Sequence, residues 1–195
     1  MLLSQKRGFT LIELLVVISI IGLLSSVVMS SVNTARKKAD NTQRNQIAEE
    51  YRKALMLSYD ANGGYPYPSA GADGMQYCLG DFATLGNYTE ATVCGNMSVA
   101  TSVNPNSEDS DVLVGPTGTT GVKQFLASLP VMKPTPWAFS GNSYLYKGPM
   151  YICTAGVGRC TNATLRWRLE GSSTCIKGAL KSNPGDSTFC QLYLD

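Results

Sequence analysis

Apolar side chains follow two regimes along this chain. From Phe9 to Val32 they run almost unbroken, FTLIELLVVISIIGLLSSVVMSSV, with Glu13 the one charge. As a helix this run measures ~36 Å, enough to cross a hydrocarbon core of ~30 Å. From Asn33 the pattern turns polar, yet neither Gly nor Pro occurs before Gly63. Ile47, Tyr51, Ala54, Leu55 and Ser58 recur at helical spacing and mark one face of an amphipathic helix. Arg36, Lys37, Lys38, Arg44, Arg52 and Lys53, with Asp40, Glu49 and Glu50, fill the other faces and read as a solvated surface. Gly63-Gly64 and Pro66 then stop the helix. The pattern predicts one helix from Phe9 to Tyr59, ~77 Å long.

Strand signals come late. Ser143–Tyr146 leads to Gly148-Pro149, and Met150–Cys153 leads to a Gly-rich turn. Thr164–Glu170 alternates apolar and charged residues, as a half-buried strand does. These strands predict a small antiparallel sheet of three or four members that buries the Tyr51/Leu55 face of the helix. Residues 92–121, rich in Ser, Thr, Asn and Gly, read as a long surface loop.

Composition narrows the chemistry. The 195 residues include no histidine, which removes His-based acid–base catalysis, His-containing triads and His metal sites. No GxSxG, Walker A or CxxC motif occurs. Asp60-Ala61-Asn62-Gly63 begins like a calcium loop but lacks the distal glutamate, and reads as a helix cap. Glu108, Asp109 and Asp111 read as a solvated acidic loop. The chain is therefore expected to be no enzyme, with no cofactor and no metal. The net charge of +2 gives no general reason to expect nucleic acid as a partner. Lys123, Lys133, Arg159, Arg166, Arg168, Lys177 and Lys181 leave a DNA-binding patch as an open alternative. All six cysteines fall between Cys78 and Cys190, which points to a disulfide framework in an oxidising compartment. Fifteen pairings are allowed, and nearest neighbours give Cys78–Cys94, Cys153–Cys160 and Cys175–Cys190.

The start of the chain admits three readings. A secretory signal peptide has an apolar region of ~7–15 residues, shorter than this run. An ordinary signal anchor leaves Glu13 unexplained, because an ionisable side chain inside a membrane span is costly and calls for a partner. The third reading rests on Lys6-Arg7-Gly8-Phe9-Thr10-Leu11-Ile12-Glu13, followed without a gap by the apolar run. This string resembles the N-terminal signal of type IV prepilins and pseudopilins.

The resemblance implies an α+β type IV pilin-like fold. A long N-terminal helix, half membrane span and half amphipathic, would pack on a small antiparallel sheet with a disulfide-bonded C-terminal loop. The implied divisions are a leader at 1–8, the membrane and assembly half of the helix at 9–32, its amphipathic half at 33–60 and a disulfide-containing head at 61–195. It further implies cleavage by a prepilin peptidase between Gly8 and Phe9, N-methylation of Phe9, and pairing of the new Phe9 amine with Glu13 during assembly. Implied partners are further copies of the chain in a helical filament, the peptidase, an inner-membrane assembly platform, and membrane lipid before assembly. The chain would sit as a single pass in the cytoplasmic membrane with its head outside, then in an extracellular filament. Arg36, Lys37 and Lys38 against Lys6 and Arg7 lean weakly towards the opposite orientation. The six cysteines outweigh that one-charge difference. A structural subunit of a type IV pilus or related filament is the leading reading, with a type II secretion pseudopilin second. A membrane-anchored binding or adhesin protein is the alternative from a different class. The stretch YDANGGYPYP and Pro136-Trp137 favour the pseudopilin, while Thr135-Pro136-Trp137-Ala138 departs from its usual Asp-Pro-Trp-Gly.

Overall fold

The computed structural model describes residues 8–67, 76–80, 92–94, 121–139, 142–154, 160–182 and 186–194. The chain divides into two compact units, Met1–Ala39 and Asp40–Asp195. The first contains the apolar part of helix α1, Leu11–Asn62, and its side chains are exposed throughout. The predicted helix is thus present but shifted at both ends. It starts at Leu11, because Thr10 caps it, and it runs on to Asn62. There Gly63 takes φ +66°, a left-handed conformation that glycine adopts at little cost, and its N–H donates to Tyr59 O at 2.7 Å. This is the helix cap expected at Asp60–Gly63.

In the second unit α1 buries Ile47, Tyr51, Ala54, Leu55 and Ser58, the face that periodicity marks, together with Asn41, Arg44 and Ala48. That face lies on a five-stranded antiparallel sheet of order β1-β5-β6-β8-β7. The strands are β1 Gln76–Cys78, β5 Met150–Thr154, β6 Asn162–Glu170, β7 Leu180–Ser182 and β8 Ser187–Leu194. Leu165, Trp167 and Leu169 point from β6 into the helix-side core, beside Cys190 and Leu192 of β8. Tyr51 Oη donates to Pro130 O at 2.9 Å, and Trp167 Nε1 donates to Asn45 Oδ1 at 2.9 Å, so the large rings keep their polar atoms paired.

Three expectations change. The predicted strand around Ser143–Tyr146 exists as β4, Asn142–Lys147, but it belongs to a second sheet of order β2-β4-β3. Its neighbours are β3, Thr135–Phe139, which is antiparallel to it, and β2, Thr92–Cys94, which is parallel. Residues 92–94 are therefore strand rather than loop, and 95–120 lie outside the described residues. The strand Thr164–Glu170 is also not half-buried, since Arg168 on its outer side is 7% exposed.

Arg44 is the third change. It sits in the charge run read as solvated surface, yet it is 1% exposed. Its Nη2 donates to Glu170 Oε1 at 2.8 Å, its Nη1 to Asn41 Oδ1 at 2.8 Å, and its Nε to Lys133 O at 3.1 Å. Asn41 closes the network by accepting from Glu170 N and donating to Glu170 O, both at 2.9 Å. A buried guanidinium is tolerated when its donors are filled in this way, and removing one partner strands the other. Arg44→Ala should therefore destabilise the second unit by about 3 kcal/mol. Arg52→Ala breaks only a surface pair with Glu49 and should cost well under ~1 kcal/mol. Denaturant unfolding of the two full-length variants in detergent, followed by tryptophan fluorescence, checks the contrast.

Candidate assembly site at the start of the helix

Gly8 and Phe9 precede the helix and are exposed, Phe9 to 88%. A Cβ on Gly8 would meet nothing within 4 Å, and its φ is not left-handed. Neither backbone strain nor packing calls for glycine at this position. Thr10 then caps α1. Glu13 N donates to Thr10 Oγ1 at 3.3 Å, and Glu13 Oε2 accepts from Thr10 N and from Thr10 Oγ1, both at 2.8 Å. This reciprocal arrangement is a capping box, which fills donors that a helix start leaves open. A negative charge in the first turn also suits the helix dipole. The pattern Thr10-x-x-Glu13 is the sequence signal for this box, although the sequence expectations gave Thr10 no role.

Only one carboxylate oxygen of Glu13 is engaged by the described residues. Around it the surface is apolar on every side. Ile12, Leu14, Leu15, Val16, Val17 and Ile18 are all exposed, and this continues to Val32. A contiguous apolar surface of this extent is not stable in water and requires lipid or apolar partners. By length and composition α1 can cross a membrane.

The other sequence candidates lie in the second unit. Cys175 is bonded to Cys190 and Cys153 to Cys160, the latter pair at the edge of the helix-side core. Tyr65 exchanges backbone hydrogen bonds with Cys160, so the exit of α1 is tied to that disulfide. Cys78 is disulfide-bonded as well. The expected partner Cys94 lies in β2, where no side chain is described. Of the candidate cations only Arg166 and Arg168 come together among the described residues, both over the ring of Phe189. Lys133 pairs with Asp40 at 2.7 Å, Arg168 is buried, Lys123, Lys177 and Lys181 are exposed, and Arg159 lies outside the described residues. Among the described residues no cluster of three or more metal-ligating side chains occurs. Glu108, Asp109 and Asp111 lie outside them.

Residues 3–29 match the model of a family described as the prokaryotic N-terminal methylation motif. The match covers the capping box and most of the apolar run. The chain is also 37% identical over 73 residues to Prepilin peptidase-dependent protein D of Escherichia coli (strain K12). This chain is type IV pilin-like. The likeness covers 37% of the pilin-like chain, which spans about half the length of that curated relative. No solved structure matches. The fold of the pilin-like chain fits independently, with one long N-terminal helix on a small antiparallel sheet and disulfides towards the C-terminus.

The capping box makes a local prediction. Thr10→Val keeps the side-chain shape but removes the hydroxyl that Glu13 N–H reaches. Amide hydrogen exchange at Glu13, followed by NMR of the full-length protein in micelles, should accelerate several-fold, with exchange near Tyr51 unchanged.

Proposed function

We propose that this protein is a structural subunit of a type IV pilus or a related filament, stored in the membrane and assembled through its helix. The observation that carries this reading is Glu13, held at the start of an apolar helix exposed on all sides, directly after Gly8-Phe9. A prepilin peptidase cuts between Gly8 and Phe9 and the new Phe9 amine is methylated. That reading explains a glycine for which the fold has no use, since a peptidase cleft accepts a residue without a side chain at the scissile bond. The cleavage sets a positive amine one helical turn before Glu13.

The chemistry of assembly follows. Thr10 occupies one oxygen of the Glu13 carboxylate and leaves the other open to a further donor. The amine and the carboxylate are each unfavourable in lipid alone and tolerable as a pair. Parallel helices offset along their axes bring the Phe9 amine of one copy to Glu13 of the next. Apolar faces that lipid covers in the membrane are then covered by other helices in the filament core. The pair fixes register, while the apolar surface supplies most of the contact area. Before assembly the helix spans the cytoplasmic membrane once, with the disulfide-bonded unit outside the cytoplasm, where its cysteines are oxidised. An assembly platform in that membrane is the expected partner.

Glu13→Ala tests the mechanism. Membrane insertion and processing should persist, while filaments sheared from cells and counted by electron microscopy should fall at least tenfold. Normal filament numbers in this variant would contradict pairing through Glu13.

A further inference from the structure

The face of the five-stranded sheet turned away from α1 carries Arg166 and Arg168, two residues apart on β6 and therefore on the same side. Both reach the ring of Phe189 on β8. The guanidinium carbon of Arg168 lies 5.3 Å from its centroid and that of Arg166 lies 6.0 Å away. Arg168 also stacks on Tyr146 of β4 at 5.5 Å, and its Nη1 donates to Ser187 Oγ at 2.9 Å. Two cations thus share an aromatic wall between two sheets.

The polar atoms of this corner are not all used. Tyr146 is 4% exposed, and its hydroxyl is screened from solvent without a hydrogen-bond partner among the described residues. Arg166 Nε is screened and has none among them either. Among the described residues no carboxylate forms an ion pair with Arg166. Glu170, further along the same strand, is engaged by Arg44. Burial pulls the Arg168 guanidinium below its ordinary range, against the fields of Tyr146 and Asp186. Buried polar groups are normally satisfied, and a screened donor beside cations implies a missing acceptor.

The geometry points to an oxyanion site at Arg166, Arg168 and Tyr146, built for a phosphate- or sulfate-type group, free or as the end of a small ester. Guanidinium forks suit such oxygens, and two positive charges match a dianion. Burial raises the Tyr146 hydroxyl well above its ordinary range, against the fields of Arg168 and Arg166, so it stays protonated and can donate.

Isothermal titration of the full-length protein in detergent micelles, at fixed ionic strength in chloride buffer, tests this. Inorganic phosphate and glycerol phosphate are titrated in parallel, with acetate as the carboxylate control. One saturable site is expected, with acetate at least tenfold weaker. Tighter binding of glycerol phosphate identifies an ester end group, and tighter binding of inorganic phosphate identifies the free ion. Arg166→Gln should weaken binding at least tenfold, whereas Lys177→Gln, at an exposed cation elsewhere, should leave it unchanged. Tyr146→Phe guards against a folding artefact. Its hydroxyl has no partner among the described residues, so melting without phosphate should stay level or rise while affinity falls several-fold. Absence of saturable binding, or equal losses in Arg166→Gln and Lys177→Gln, would overturn the site. So would full affinity in Tyr146→Phe.

Discussion

Between Leu11 and Val32 the helix presents exposed apolar side chains in every direction. Burial of apolar surface is the main favourable term in folding and association, so this surface sets the conditions under which the molecule can exist. It requires a medium or a neighbour that is itself apolar. Lipid meets that requirement for a single copy, and other helices of the same kind meet it in an assembly. The polar groups at the start of the helix gain their meaning from this setting. In water a lone carboxylate at a helix start would be unremarkable. In an apolar setting it is held by Thr10 on one oxygen and is left with capacity for one more donor.

The second unit solves a different problem, which is to bind one face of a long helix firmly with a modest core. Tyr51, Ala54 and Leu55 supply the apolar contact, and Trp167, Leu165 and Leu169 receive it. The polar cluster of Arg44, Asn41 and Glu170 fixes the helix along the sheet, because its hydrogen bonds are satisfied at one register only. The disulfides add cross-links within that core, where Cys153, Cys160 and Cys190 are buried.

Much of this is legible in the sequence where it depends on local rules. Helical periodicity located the face at Ile47, Tyr51 and Leu55, and Gly63-Gly64 located the stop. Paired cysteines close in sequence are joined locally, so nearest neighbours gave the two bonds Cys153–Cys160 and Cys175–Cys190. Long-range pairings were not legible. Arg44 looks like its solvated neighbours until Glu170, 126 residues away, is placed beside it. The outer face of β6 looked exposed because its cover, Tyr146, comes from a second sheet. Strand β8 was not expected at all: it begins inside the C-terminal disulfide loop that the family resemblance implied and runs on past Cys190, although Thr188, Cys190, Leu192 and Leu194 alternate inwards. At the N-terminal site the motif was explicit, while the reciprocal bonds of Thr10 needed coordinates.

Processing at Gly8-Phe9, followed by export of a disulfide-bonded body, is the event on which the functional reading turns. The most direct measurement is the intact mass of the protein extracted from its native membrane, with thiol labelling before and after reduction. The expected result is a chain that begins at Phe9, carries one additional methyl group and takes up label only once reduced. A chain that still begins at Met1, or one cut near residue 30, would contradict the filament reading.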